Sequence, residues 1–407
     1  MRKTIRVGQL RPGMYVQRVH GPWLQHPYWR ASFTASERDV ERLLGSDVEA
    51  LDIDTSRGAD VDAAPVRGID PAVDAAPDVA TGGVEPASAG PRAPTPAPDL
   101  ATELSRARRI CQAGREAVEA MFREVRLGRT IDPEAAMPLA REIAASVDRH
   151  PGALIGIARL KTADDYTYLH SVAVSALMGS LARQMGLPDE ECQQAALGGL
   201  LHDMGKARMP QDILNKPSSL TDAEFAVMRT HPEEGERLLR DSGVENGAVL
   251  HMVRHHHERF DGAGYPLRLP GGEIPLLTRM STVCDVYDAV TSNRPYKEGW
   301  DPGEALRRMA TWKGQFDPAV LKAFIATVGI YPIGTLVRLS SDRLAVVIEQ
   351  NPALSTPKVR VFHSARTRSH LLVHDLDLAA ADCTDHITGL ESPRQWGFRD
   401  LDKLWAP

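Results

Sequence analysis

The apolar run Ala195-Ala196-Leu197-Gly198-Gly199-Leu200-Leu201 leads straight into His202-Asp203. A helix that is apolar on every side belongs inside a protein. An imidazole and a carboxylate at its inner end are costly to bury unless something neutralises them, and a cation does so. The same device recurs along the chain. Asp285 stands inside Ser281-Thr282-Val283-Cys284-Asp285-Val286-Tyr287-Asp288-Ala289-Val290, a helix that otherwise reads as buried, and His170 stands near the start of another, beside Tyr166, Tyr168 and Ser171. His231, in Thr230-His231-Pro232, and His256-His257, at a helix end before a Gly-rich turn, complete the set. A single histidine in a helical protein is more often a satisfied core or surface residue than a ligand. Together these imidazoles and carboxylates suffice for two cations sharing a bridging carboxylate, a known device for hydrolysing phosphate esters. Nitrogen and oxygen donors without thiolates suit iron, manganese or nickel as well as zinc, and do not choose among them.

Length and charge bound the rest. A chain of 407 residues suggests two or three domains. Its net charge of -6 is a poor match to a nucleic-acid backbone, so no polymeric nucleic acid is expected as a partner. A small anionic substrate would need only a local basic pocket. Cys111, Cys192, Cys284 and Cys383 lie far apart with no CxxC pair, which argues against a zinc-thiolate site and a disulfide framework and for free thiols in a reducing compartment. The N-terminal stretch lacks the unbroken apolar core of a signal peptide. No run approaches the length needed to span a bilayer. The expectation is a cytoplasmic protein without membrane association.

Periodicity divides the chain into a mainly α fold with two β-rich ends. Residues 1–56 read as a small β-rich accessory or regulatory domain: strands at Thr4–Val7 and Gly13–Val16 around the turn Arg11-Pro12-Gly13, a helix over Ser36–Leu44 capped by Ser36, and a strand at Val48–Ile53. Residues 57–99 are dominated by Ala, Pro, Gly and Asp, a composition that cannot bury enough apolar surface to offset chain entropy, and read as a disordered linker. Residues 100–332 are helical throughout. Helices are expected at Leu100–Leu127, Pro133–Asp148, Gly152–Thr162, Tyr166–Gln184, Asp189–Leu201, Asp222–Asp241, Val244–Glu258, Pro275–Ser292, Asp301–Met309 and Pro318–Val328, with Thr221 and Asp317-Pro318 as helix starts. Residues 333–407 read as a β-rich extension, with strands at Thr335–Leu339, Leu344–Ile348 and Lys358–Phe362 and with Trp396 and Trp405 docked on the body.

His170, His202-Asp203-Met204-Gly205-Lys206, His231-Pro232-Glu233-Glu234-Gly235, His256 through Pro266 and Asp285 through Lys297, in that order, resemble the HD-GYP family. These are cyclic di-GMP phosphodiesterases of the HD metal-hydrolase superfamily, and the resemblance covers roughly residues 150–330. Residues 1–56, with Gly13-Met14-Tyr15-Val16, Trp23, His26-Pro27 and Ile53-Asp54, resemble the accessory domain that precedes some members. The resemblance implies an all-helical catalytic domain that converts cyclic di-GMP to linear pGpG, and on to GMP, with a hydroxide between two metals attacking phosphorus. It implies two divalent ions, iron or manganese first, with nickel, magnesium or zinc also compatible. His170, His202, Asp203 and Asp285 would hold one ion and His231, His256 and His257 the other, with Asp203 bridging. Lys206 would steady the scissile phosphate or the leaving oxygen. Arg294 and Lys297 would grip the phosphates, a task suited to a guanidinium fork. Asp261, Gly264 and Tyr265 would shape the loop bordering the substrate, with Gly262 and Gly264 allowing the backbone angles of a tight turn.

One position departs from part of the family. Some relatives carry a metal-binding glutamate four residues before the first histidine; here that position is Tyr166, and Asp165 would face another side of the helix. Two ions rather than three are therefore expected. His255 precedes the matched pair and reads as a surface residue or one that supports the ligands from behind, and His251 has no assigned role. Two other functions compete: a catalytically idle domain that senses a cyclic dinucleotide and signals to protein partners through residues 1–56, and a hydrolase of another cyclic dinucleotide.

Overall fold

The computed structural model describes residues 2–20, 33–37, 40, 44, 50–59, 100–160, 166–216, 218–292 and 299–406. It divides into two units, Met1–Thr95 and Pro96–Pro407. In the first, β1 (Arg2–Arg6), β2 (Tyr15–His20), β3 (Phe33–Thr34) and β4 (Ala50–Asp54) form an antiparallel sheet in the order β1-β4-β2-β3. Ile5 lies opposite Leu51 and Val16 opposite Ile53, so one face gathers a small core with Leu10 and Met14. The strand pair expected at the start of the chain and the one near residue 50 are present, and β3 was not foreseen. The helix expected over Ser36–Leu44 and the linker expected over residues 57–99 lie largely outside the described residues.

The second unit is a helical body carrying a sheet. The helices are α1 (Leu100–Arg126), α2 (Met137–Arg149), α3 (Pro151–Arg159), α4 (Tyr166–Gln184), α5 (Asp189–Leu201), a short α6 (Gln211–Leu214), α7 (Asp222–Met228), α8 (His231–Asp241), α9 (Gly247–His255), α10 (Leu276–Thr291), α11 (Pro302–Met309) and α12 (Pro318–Val328). Helices α4 and α5 have the bounds expected from periodicity. They cross very closely: a Cβ on Gly199 would lie 2.9 Å from the Ser175 Cα, and Ser175 Oγ donates to the Ala196 carbonyl at 2.7 Å. Only glycine permits that approach, and it brings the end of α5 against the start of α4.

The single helix expected over Asp222–Asp241 is two. Pro232 has no N–H, and its ring would collide with the carbonyl four residues earlier if the helix continued. That carbonyl, on Met228, instead lies 2.8 Å from His231 Nδ1. Helix α7 starts with the expected Thr221 cap, completed by Glu224 reaching back to the Thr221 N–H at 2.7 Å. Helix α9 starts three residues later than expected, because the Asn246 side chain accepts from the Ala248 and Val249 N–H groups and sets its first turn there.

Strands β5 (Leu336–Leu339), β6 (Arg343–Glu349), β7 (Lys358–Ser364), β8 (Ser369–Asp377) and β9 (Ile387–Leu390) form an antiparallel sheet in the order β8-β7-β6-β5-β9. Its central strand is apolar on both sides: Leu344, Val346 and Ile348 join one core, Ala345 and Val347 the other. Trp405 closes the first of these cores and docks on α3 at Gly156, where a Cβ would lie 2.8 Å from its ring. Trp396 is half-buried beside it and donates to Glu391 at 2.9 Å. Replacing Trp405, which is 4 % exposed, with Ala should lower unfolding free energy by about 3 kcal/mol or more. Chemical denaturation measures this, and a loss below about 0.5 kcal/mol, the range of neutral surface changes, would show that the C-terminal segment does not dock as described.

Candidate metal centre and active site

Five segments deliver the ligand atoms. His170 comes from the first turn of α4, His202 and Asp203 from the end of α5, His231 from the first residue of α8, His256 and His257 from just past α9, and Asp285 from the middle of α10. Gly205 lets the chain after α5 pass the start of α8: a Cβ there would meet the His231 carbonyl oxygen at 1.9 Å. His170, His202, Asp203, His231, His256 and Asp285 are all buried, and His257 is half-buried at the rim.

The two carboxylates each face two ways. Asp203 Oδ2 lies 3.5 Å from His170 Nε2 and 3.4 Å from His202 Nε2, while its Oδ1 lies 3.3 Å from His231 Nε2 and 3.7 Å from His256 Nε2. Asp285 Oδ1 is 3.0 Å from His170 Nε2 and 3.9 Å from His202 Nε2, and its Oδ2 is 3.7 Å from His257 Nδ1. Three overlapping groups have ligand atoms all within 4.8 Å of one another: His170-His202-Asp285, His231-His256-His257 and His202-Asp203-His256. All seven residues expected as ligands converge.

Hydrogen bonds at the far side of each ring fix which nitrogen points inward. His202, His231 and His256 have Nδ1 at 2.7, 2.8 and 2.8 Å from the carbonyl oxygens of Gly199, Met228 and Val253, each three residues earlier. A carbonyl only accepts, so Nδ1 carries the proton and Nε2 presents a lone pair. Two such lone pairs, on His231 and His256, then face each other at 3.3 Å. His202 Nε2 and Asp203 Oδ1 are buried with no hydrogen-bond partner. Lone pairs aimed at lone pairs among buried side chains fit a divalent cation.

The charge states of His202, His231 and His257 agree, whereas for His170 burial is outweighed by the bonds to Asp285 and Asp288, which raise it. Burial pushes His202 down to about 4, with His256 and His170 adding to the effect against Asp203, so the ring stays neutral at physiological pH. Burial likewise lowers His231 and, with His256 beside it, takes His257 well below the usual imidazole range. For Asp203, burial opposes ionisation, but the Lys206 ammonium outweighs it and holds the carboxyl well below the usual range. Asp285 is also lowered: burial opposes ionisation, and the His170 hydrogen bond outweighs it. Lys206 reaches back one turn to Asp203 Oδ2.

Three supporting residues had no role in the sequence reading. Asp288 Oδ2 lies 2.6 Å from His170 Nδ1 and sets that ring's orientation; its i, i+3 spacing from Asp285 on one helix was the available signal. Buried Glu258 accepts from the Leu267 and Leu269 N–H groups at 2.7 and 3.2 Å and ties the loop after His257 to the body. Arg229 lies 4.6 Å from the centroid of the Tyr265 ring, which itself stacks on His257 at 4.7 Å. The loop glycines act differently from each other. Gly262 takes a left-handed φ of 73°, whereas Gly264 is needed for close approach, since a Cβ would lie 2.4 Å from the Arg259 nitrogen. Asp261 is exposed and holds Arg259 at 2.6 Å, outside the lining of the adjoining cavity. That cavity has a volume of about 570 Å³ and is lined by His256, His257, Gly264, Tyr265, Arg229, Arg259 and Arg268, among others. His255 is buried behind the ligands, its ring 4.3 Å from that of His251, which bonds Thr278 at 3.0 Å. Arg294 and Lys297 lie outside the described residues, as does Asp165.

Comparison with known proteins places this geometry. The family described as HD domain matches residues 141–320, and the domain of unknown function DUF3391 matches residues 2–136. The chain is 49% identical over 409 aligned residues to the cyclic di-GMP phosphodiesterase PA4108 of Pseudomonas aeruginosa, covering all of this chain and 96% of that protein. It is 42% identical to the cyclic di-GMP phosphodiesterase response regulator RpfG of Xanthomonas campestris, over 37% of this chain and 41% of that one. A 3'3'-cGAMP-specific phosphodiesterase of Vibrio cholerae is 34% identical over 39% of this chain and 31% of its own length. Family match and relatives thus define an HD-domain phosphodiesterase, with a cluster of histidines and aspartates that could hold metal. Within that class, the chain belongs to the HD-GYP family. Among the described residues no helix is long and apolar enough to cross a membrane.

Asp288→Asn should weaken divalent-metal affinity by about ten- to a hundredfold, by loosening His170. Titration of the metal-free protein with Mn(II) measures this, and an unchanged affinity would remove the orienting role of Asp288.

Proposed function

We propose that the chain hydrolyses cyclic di-GMP to linear pGpG, and on to GMP, at a site that holds two divalent ions, iron or manganese. The 49% identity to PA4108 over the whole chain supports the substrate. The facing lone pairs of His231 and His256, with both oxygens of Asp203 aimed at different imidazoles, support the pair of ions. His170, His202, Asp203 and Asp285 would hold one, and His231, His256 and His257 the other, with Asp203 shared. Tyr166 at the position of the extra glutamate in some relatives leaves the site at two. Such a pair would supply Lewis-acid activation of the nucleophile and neutralisation of charge at phosphorus.

The chain's own residues do the remaining work. The inward lone pairs are preorganised by the Nδ1 bonds to Gly199, Met228 and Val253, so no reorientation is needed when substrate arrives. Lys206 places an ammonium beside Asp203, where it stabilises the phosphate or the departing ribose oxygen. The cavity beside His256 and His257 carries Arg229, Arg259 and Arg268, cationic partners for a dinucleotide's phosphates. Arg294 and Lys297 grip the phosphates from the segment following α10. Tyr265, held between Arg229 and His257, forms a flat wall for a base. Residues 1–56 act as a regulatory domain that meets protein partners, and the catalytic domain works in the cytoplasm.

Full-length protein loaded with Mn(II) or Fe(II) should convert cyclic di-GMP to pGpG faster than it converts 3'3'-cGAMP, by product chromatography. Asp203→Ala should reduce turnover to background, because both ions lose a ligand. Arg294→Ala should raise KM by about tenfold with metal content unchanged. Near wild-type turnover of Asp203→Ala would refute the shared-ligand mechanism, and loss of metal from Arg294→Ala would reassign that residue.

A further inference from the structure

Behind the metal centre lies a second cavity, about 290 Å³, between α3, α4, α10, α12 and the end of β6. Its walls are largely apolar, with Leu177, Val328 and Ile333 among them. The charged groups that reach it are nearly all matched already. Arg149 pairs with Glu103 at 3.0 Å, Glu349 with Lys358 at 2.9 Å, and Asp288 with His170 at 2.6 Å. Arg159 is the exception. Its half-buried guanidinium makes no hydrogen bond or ion pair with any described residue; its near neighbour is the Trp405 ring, with the centroid at 5.4 Å. Burial works against the charge on Arg159, while Tyr287, Asp301 and Asp288 favour it from longer range. Two further polar atoms at the wall, His150 Nδ1 and Gln350 Oε1, are buried with no partner.

A guanidinium is never neutral in a protein, and five N–H donors in an apolar cavity call for an acceptor that carries charge. The volume lies near the lower end of small-molecule sites. We propose that this cavity binds a small organic anion, an apolar body bearing one carboxylate or phosphate-like group that Arg159 neutralises. The site is separate from the substrate cavity and does not rest on the reaction assigned above. It shares one wall residue with the metal centre, because Asp288 lines the cavity and also orients His170. A ligand seated there is therefore placed to alter metal affinity.

Isothermal titration of the full-length protein with 1-naphthoate, 1-naphthylphosphonate and neutral 1-naphthamide tests this. The proposal requires one saturable site for at least one of the two anions, the stronger of them naming the headgroup, and no measurable binding of the amide. Arg159→Met should weaken the anion by about tenfold or more, and Arg229→Met, in the other cavity, should leave it unchanged. Should Arg159→Met not fold, Thr327→Phe, which projects a ring from the half-buried α12 wall, should abolish binding instead. Absence of saturable anion binding overturns the proposal, as does equal binding of the amide. Anion affinity insensitive to both Arg159→Met and Thr327→Phe, or lost equally in Arg229→Met, overturns it too.

Discussion

Electron-rich atoms crowded into a buried space are the constraint on which the rest of this structure depends. Imidazole nitrogens with fixed inward lone pairs surround two carboxylates whose pKa values are held low. Without a counter-charge such a cluster repels itself in a medium of low dielectric. The helices around it are arranged to bring these atoms together, which points to ions as part of the working fold. The apolar packing on the outer side of α4 and α5 supplies the rigidity that keeps the cluster from relaxing apart.

Rigid support comes from backbone more than from side chains. Three of the imidazoles are anchored to carbonyls in their own preceding turn, so their orientation follows from helix geometry alone. His170 is different, since its anchor is Asp288 on α10. That side-chain bond links the ligand cluster to the second cavity, which Gln350, just after β6, also lines and whose Arg159 lies near Trp405. The sheet is thus a structural partner of the catalytic helices. It is not a detached appendage.

Much of this was legible from residues alone, for physical reasons. Helix α4 is largely apolar, and α5 runs from an acidic first turn into the apolar stretch Ala195–Leu201, so their limits could be read to the residue. The ligand set was legible because charged groups inside apolar helices need an explanation. The break before His231 was missed because the apolar period runs through it; Pro232 decides the matter, and its effect depends on His231 satisfying the Met228 carbonyl. Strand β8 was missed because it is an edge strand, with Leu372 89 % exposed, and lacks the alternation of a half-buried strand. Asp288 and Glu258 were overlooked because positioning roles leave no compositional trace; they depend on which atom faces which. The same holds for the unmatched charge of Arg159.

The central claim, that this cluster exists to hold two ions, is open to direct count. Elemental analysis of full-length protein purified without oxygen and saturated with Mn(II) or Fe(II) should give two tightly held ions per chain. A stoichiometry that saturates at one ion or fewer, in protein that is folded and active, would contradict it.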